Sequence, residues 1–287
     1  MGQRREASRH ESVVASLDRA TKIRLVSGAS FWLTEAVDDA RIPAIMLTDG
    51  PHGVRKQVGD ADHIGLSDSE PATCFPTAVT LASSWDPTLL EEVGAALGSE
   101  AQSKSVGVLL GPGLNIKRHP AGGRNFEYFS EDPHLSGKIA AAMVRGVQSR
   151  GVAACPKHFA VNNQEHQRMR VDAVVDERTL REVYLAGFEI VVREADPWAV
   201  MSAYNLVNGE HAGESEELLT GILREQGAST GWWSAIGTPP PTALRGSAPG
   251  WIWRCRAAVG PGTPRSWPLL NQGPSASPTW IGHVAES

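Results

Sequence analysis

From Gly227 to Ser287 this chain has no lysine and no aspartate, and its only acid is Glu286. Cysteine is scarce throughout. Cys74, Cys155 and Cys255 are odd in number and scattered, which excludes a disulfide framework and a spaced metal-ligand pair. There is no long apolar run. The N-terminal MGQRREASRHES has basic residues with no apolar stretch behind them, so Arg4-Arg5 reads as no export signal. The reading is cytoplasmic, with no membrane segment. Positive charge is not in excess either: the formal net charge is −5, which argues against a nucleic-acid partner or an anionic membrane surface. HExxH, a phosphate loop and a dinucleotide fingerprint are all missing, and His52, His119, His134, His158 and His166 are dispersed. No cofactor and no metal are therefore expected.

What is present is an alternation of short apolar runs and helical patterns. The runs Ala44–Thr48, Ala78–Ser83, Val106–Leu110, Val152–Cys155 and Ala199–Ala203 read as strands. Glu11–Ser27, Pro87–Lys104, Leu135–Ser149, Glu177–Glu194 and Glu216–Gln226 read as helices, with start signals at Asp86-Pro87, Asp132-Pro133, Asp176 and Ser215. Such alternation predicts an α/β fold with a parallel sheet and helical crossovers. About five units fall short of the eight that close a barrel. On pattern alone, an open doubly wound sheet is the rival.

The densest chemistry lies in GPGLNIKRHPAGGRNFEYFSEDPH, Gly111 to His134. Lys117, Arg118, His119, Arg124, Glu127, Tyr128, Glu131 and Asp132 crowd into a segment between a buried strand and a well-capped helix. That makes it a loop at the carboxyl end of a parallel strand, where α/β proteins put their chemistry.

GGRNFEYFSEDP resembles the arginine loop of glycoside hydrolase family 3, whose best-known members are β-glucosidases. Four further segments match in the same order: Leu47-Thr48-Asp49-Gly50-Pro51-His52-Gly53-Val54-Arg55; Lys157-His158-Phe159 with Asn162-Asn163-Gln164-Glu165; Arg168; and Met201-Ser202-Ala203-Tyr204-Asn205. The likeness runs from Lys22 to Gln226. It implies an incomplete TIM-type (β/α) barrel rather than the open sheet, and a retaining O-glycosyl hydrolase acting on a β-linked glucoside or oligosaccharide. The family's N-acetylglucosaminidases carry a His-Asp dyad in a glycine-rich loop after this point. Ala160-Val161-Asn162-Asn163-Gln164-Glu165 resembles the β-glucosidase branch instead.

A sugar pocket needs carboxylates and cationic donors together, because each hydroxyl both donates and accepts. By resemblance Asp49 grips sugar hydroxyls, although Asp before Gly-Pro is also an ordinary turn residue. Arg124, between Gly122-Gly123 and Asn125, is the sugar-binding arginine, or the partner of Glu127 or Glu131, or both. Arg118 is the brace of that loop. Lys157 and His158, beyond Pro156 at a strand end, donate to hydroxyls; a lone core histidine is the rival reading for His158 alone. Arg168 belongs to the pocket, unless it is a solvated charge beside Arg170. Met201 lines the sugar site. Tyr204 contacts the nucleophile, or fills a barrel layer.

The segment after Gln226 holds six of the nine tryptophans and nine of the nineteen prolines, with neither helical nor alternating period. One inserted T after codon 226 changes its meaning. Gly227 to Gly237 can then be read Trp-Gly-Phe-Asp-Gly-Val-Val-Val-Ser-Asp-Trp, and Gly250 to Arg256 as Leu-Asp-Leu-Glu-Met-Pro-Gly. Both strings resemble the family's next two strand ends, and the first carries its nucleophilic aspartate, at the position of Ile236. The chain thus divides into 1–226, an incomplete barrel, and 227–287, an irregular out-of-frame-like tail. The tail is expected to be disordered and to leave the sheet edge open after Ala199–Ala203. Ile236 cannot attack an anomeric carbon, and the resemblance puts the acid/base glutamate on a later domain. The two function classes are a β-glucosidase-like hydrolase and a non-catalytic remnant with at most weak sugar binding.

Overall fold

A computed structural model describes residues 12–58, 68–229 and 231–234. Ile236 and the rest of the tail lie outside the described residues. Three parallel strands begin the wall: β1 (Leu47–Asp49), β2 (Val108–Leu110) and β3 (Ala153–Ala154). Leu47 lies opposite Val108, Asp49 opposite Leu110, and Val108 opposite Ala153. Pro156 then interrupts the ladder, since it has no N–H to give. The chain resumes as β4 (Lys157–Phe159), which pairs in parallel with β6 (Ala199–Ser202). Cys155 N–H donates to Leu109 O and Met201 N–H donates to Pro156 O, so one continuous segment joins the two sheets.

Strand neighbours follow chain order, β1-β2-β3 and then β4-β6-β9. A doubly wound sheet reverses its order at a switch point; a barrel does not. The alternation of burial agrees. Leu47, Val108, Leu110, Ala153, Cys155, Ala199 and Met201 form one buried cluster, on the inner face of the wall. Leu109, Ala154 and Val200, the residues between them, join the larger cluster with the helices. The strands are apolar throughout because both faces are covered. The architecture is an incomplete TIM-type barrel.

Helices cover the outside: α1 (Arg19–Ser27), α2 (Ala78–Ala82), α3 (Pro87–Ser103), α4 (Pro133–Gln148), α5 (residues 177–195) and α6 (Glu217–Gln226). Asp18, Asp86, Asp132 and Asp176 cap α1, α3, α4 and α5 with their carboxylates. α3 and α4 cross at close range. A Cβ on Gly146 would sit 2.1 Å from Glu91 O, and one on Gly94 2.4 Å from Met143 O. On α5, Phe188 meets Phe159 of β4 edge-on at 5.2 Å, which fixes the strand that carries Lys157 and His158. A small sheet of β5 (Asp172–Ala173), β7 (Leu206–Val207) and β8 (Glu210–His211) stands beside the wall.

Four expectations need correction. Glu11–Ser27 is not one helix: it breaks at Leu17-Asp18, where the Asp18 carboxylate accepts from Thr21 N–H and starts α1. Ala78–Ser83 is not a strand but α2, which buries Ala78, Leu81 and Ala82 at helical spacing. β1 therefore pairs directly with β2. Lys157 and His158 do not follow the strand end; they form a strand of their own. The edge after Ala199–Ala203 is not open. β9 (Trp232–Ser234) pairs in parallel with β6, Ala199 opposite Trp232 and Met201 opposite Ser234.

Candidate active site

The registers put several functional groups at one end of the wall. Asp49 closes β1 opposite Leu110, Gly113 bridges to Lys157, and Lys157 lies level with Met201 on β6. This is the end of the wall where β1, β2 and β6 finish, and the start of β4 lies level with it. The loop between β2 and α4 folds over the same end, because Gly113 also bridges to Tyr128.

Lys157 is 2% exposed, and its Nζ is 3.3 Å from Asp49 Oδ1 and 3.5 Å from Glu127 Oε2. Glu127, also 2% exposed, accepts from Arg124 Nε through Oε1. The Arg124 Nε lies 3.9 Å from Glu165 Oε1. Glu165 in turn accepts from Arg168 Nη1 at 2.7 Å and from Asn162 Nδ2 at 3.0 Å. The Arg168 guanidinium sits 4.9 Å from the centre of the Tyr204 ring, within cation–π range. Anions and cations alternate, so each buried charge has a partner, as low dielectric demands.

A neutral branch joins this line. Asn162 Nδ2 also donates to the Tyr128 hydroxyl at 3.0 Å, and Tyr128 Oη lies 3.1 Å from His158 Nδ1. Asn115 clamps the His158 backbone, accepting from its N–H at 2.8 Å and donating to its carbonyl at 2.9 Å. Burial, then Arg124, Lys157 and Arg168, holds the His158 imidazole well below its ordinary pKa, so the ring is neutral. Burial disfavours the Arg124 charge, but Glu127, Tyr128 and Glu165 outweigh it and raise its pKa. Burial pushes the Tyr128 and Tyr204 hydroxyls above their usual values, and both stay protonated. Neutral Tyr and His groups beside fixed charges can donate to and accept from alcohols.

The structure thus brings Asp49, Arg124, Lys157, His158, Arg168 and Tyr204 into one network. Met201 is level with Lys157 but belongs to the inner apolar cluster. Arg118 is exposed and lines a separate cavity of about 400 Å³ with Asn163, Asp172 and Asn205. The room beside Gly123 is taken by Glu165, 3.1 Å from where a Cβ would stand. Sequence reasoning missed Glu127 and Glu165 as members of the site, and Asn115 altogether. The signal for Glu127 was an acid three residues after Arg124 in a loop rich in cations. Asn115 gave none, since its role is to a backbone 43 positions away. Among the described residues no group of three or more His, Cys, Asp or Glu could hold a metal ion. No helix there is long and apolar enough to cross a membrane.

Residues 24–232 match the Glycosyl hydrolase family 3 N terminal domain. The chain belongs to that family. The thermostable beta-glucosidase B of Acetivibrio thermocellus is 54% identical over 230 residues, 79% of this chain and 30% of that protein. An exo-alpha-(1->6)-L-arabinopyranosidase of Bifidobacterium longum is 50% identical over 74% of this chain and 28% of its own length. Among solved structures, beta-glucosidase 3B of Thermotoga neapolitana in complex with glucose has a TM-score of 0.74 and 43% identity. It covers 79% of this chain, and this chain covers 33% of it. The family 3 chain described here therefore spans about a third, or less, of the length of these relatives.

Proposed function

We propose that this family 3 chain carries the sugar-binding part of a retaining β-glucosidase-type active site. Asp49, Arg124, Lys157, His158, Arg168, Met201 and Tyr204 are its sugar-contacting residues. The observation that carries this reading is the unbroken network of charged and neutral donors at the carboxyl ends of parallel strands. The relatives named beta-glucosidase, and a solved neighbour holding glucose, support a glucoside as the ligand. The arabinopyranosidase among the relatives leaves the identity of the neutral glycone open between glucose and arabinopyranose.

In the proposed reaction a carboxylate beneath the anomeric carbon attacks and a carboxylic acid protonates the leaving oxygen. Water then hydrolyses the glycosyl intermediate, the first acid now serving as base. Asp49 and Lys157 hold the sugar hydroxyls while this happens, and Arg124 and His158 fix its orientation.

A second reading is favoured by one specific feature: Ile236 stands where the re-read sequence has Asp. On this reading the polypeptide as given binds a sugar but does not hydrolyse it. The strand β9 supports it, because the Val-Val-Val of the re-read sequence falls on Trp232–Ser234, the residues that pair with β6. The test inserts one base after codon 226, extends through the corrected frame, and assays both proteins on an aryl β-glucoside. Turnover only by the corrected protein is expected. Equal turnover by both puts the nucleophile elsewhere.

A further inference from the structure

Six side chains of the site form one line in which the signs alternate: Asp49, Lys157, Glu127, Arg124, Glu165 and Arg168. Three are anions and three are cations, so the line is balanced. The neighbouring rings add no charge. Burial holds His52 and His158 below their ordinary pKa and Tyr128 and Tyr204 above theirs.

The three acids are not equivalent. The Asp49 side chain is 42% exposed and that of Glu165 22%, whereas Glu127 is 2% exposed. Water screens the first two. Glu127 acts through low dielectric and touches two cations at once, Arg124 through Oε1 and Lys157 through Oε2. Removing its charge leaves buried Lys157 and partly buried Arg124 with too little opposite charge and the line with a net charge of one positive unit.

We propose that Glu127 is a specificity-determining residue: it keeps the sugar site electrically balanced, so that the site takes uncharged pyranoses and refuses those bearing a carboxylate, such as uronic acids. The proposal rests on the sugar-site reading above. A positive surplus at Arg124 and Lys157 would attract a sugar carboxylate, and Arg would meet it with a bidentate fork. With Glu127 in place, both cations are already engaged, and an incoming carboxylate would face Glu127 and Asp49 instead. Specificity here comes from a repulsive element as much as from attractive ones.

The experiment titrates the 287-residue chain and its Glu127→Gln variant with methyl β-glucoside and with methyl β-glucuronide, following amide shifts by NMR at neutral pH and low salt. The wild type should bind the glucoside and not the glucuronide. In Glu127→Gln the ratio of the two affinities should move towards the glucuronide by about tenfold or more, as one uncompensated buried charge implies. A purely structural role weakens both ligands alike and leaves the ratio unchanged, which overturns the proposal. If the wild type binds neither ligand, the sugar site itself is refuted, and this inference with it. Because Glu127→Gln strains the fold, a double variant Glu127→Gln/Lys157→Met is read alongside. It loses affinity but restores the charge balance, so its ratio should return to that of the wild type. A double variant that favours the glucuronide shows that charge balance is not the cause.

Discussion

Lys157 has almost no contact with water, yet it keeps its charge company with two carboxylates, one of them equally buried. Removing Lys157 takes one of two cations from the buried Glu127 and leaves it in close contact with Arg124. Lys157→Met should therefore destabilise the fold by about 1–3 kcal/mol, read from the urea midpoint; a loss below about 1 kcal/mol would show that water reaches Glu127 and screens it. His158 gives a pH signature. Its folded pKa is depressed, by burial first and by Arg124, Lys157 and Arg168 next. Below about pH 6.5 the unfolded chain takes up a proton that the folded chain refuses. Stability should fall as pH drops through that point and level off below the folded pKa, with His52 acting in the same direction. Chemical unfolding between pH 7 and 5 measures the slope, and an NMR titration of His158 with a midpoint near 6.5 contradicts it. At this scale the sequence was informative wherever a charged residue sat next to glycine or proline at a strand end, as at Asp49 and Arg124. It was silent on Asn115, whose partner is a distant backbone, and it undervalued Glu127, whose importance depends on burial.

Helices α3, α4 and α5 were legible because their start signals are local. An Asp two or three residues before the donor it caps is visible in the chain, and Asp86, Asp132 and Asp176 all act as caps. Short apolar runs were not, because six residues do not separate period 2 from period 3.6. Ala78–Ser83 is the case in point, and only the neighbouring elements decide it. The helix α3–α4 crossing is another feature that depends on contact. Gly146→Ala pushes a methyl group to 2.1 Å from Glu91 O, so the helices must part. A loss of about 1–3 kcal/mol or more is expected, measured by thermal unfolding. An unchanged transition would mean that the crossing relaxes freely. Gly209→Ala makes a useful contrast, since nothing lies within 4 Å there and its cost comes from the positive φ alone.

At the scale of the whole molecule the barrel type followed from strand–helix alternation together with the motif order, while the position of its edge did not. The prolines after Gln226 argued for an open edge, yet β9 forms ahead of the first of them and pairs with β6. Backbone pairing asks less of side chains than chemistry does. A chain ending at Gln226 should therefore lose the cover on β6 and associate more strongly than one ending at Ser234, which keeps that pairing. Light scattering of the two at equal concentration tests this, and equal scattering would mean that β9 protects nothing. The alternating line of charges across the site has a consequence at longer range. A balanced row of opposite charges casts a field that dies away within a few ångströms, well inside the Debye length of about 8 Å at physiological ionic strength. A neutral sugar is then neither steered towards this site nor repelled from it, and its capture should be as fast in salt water as in fresh.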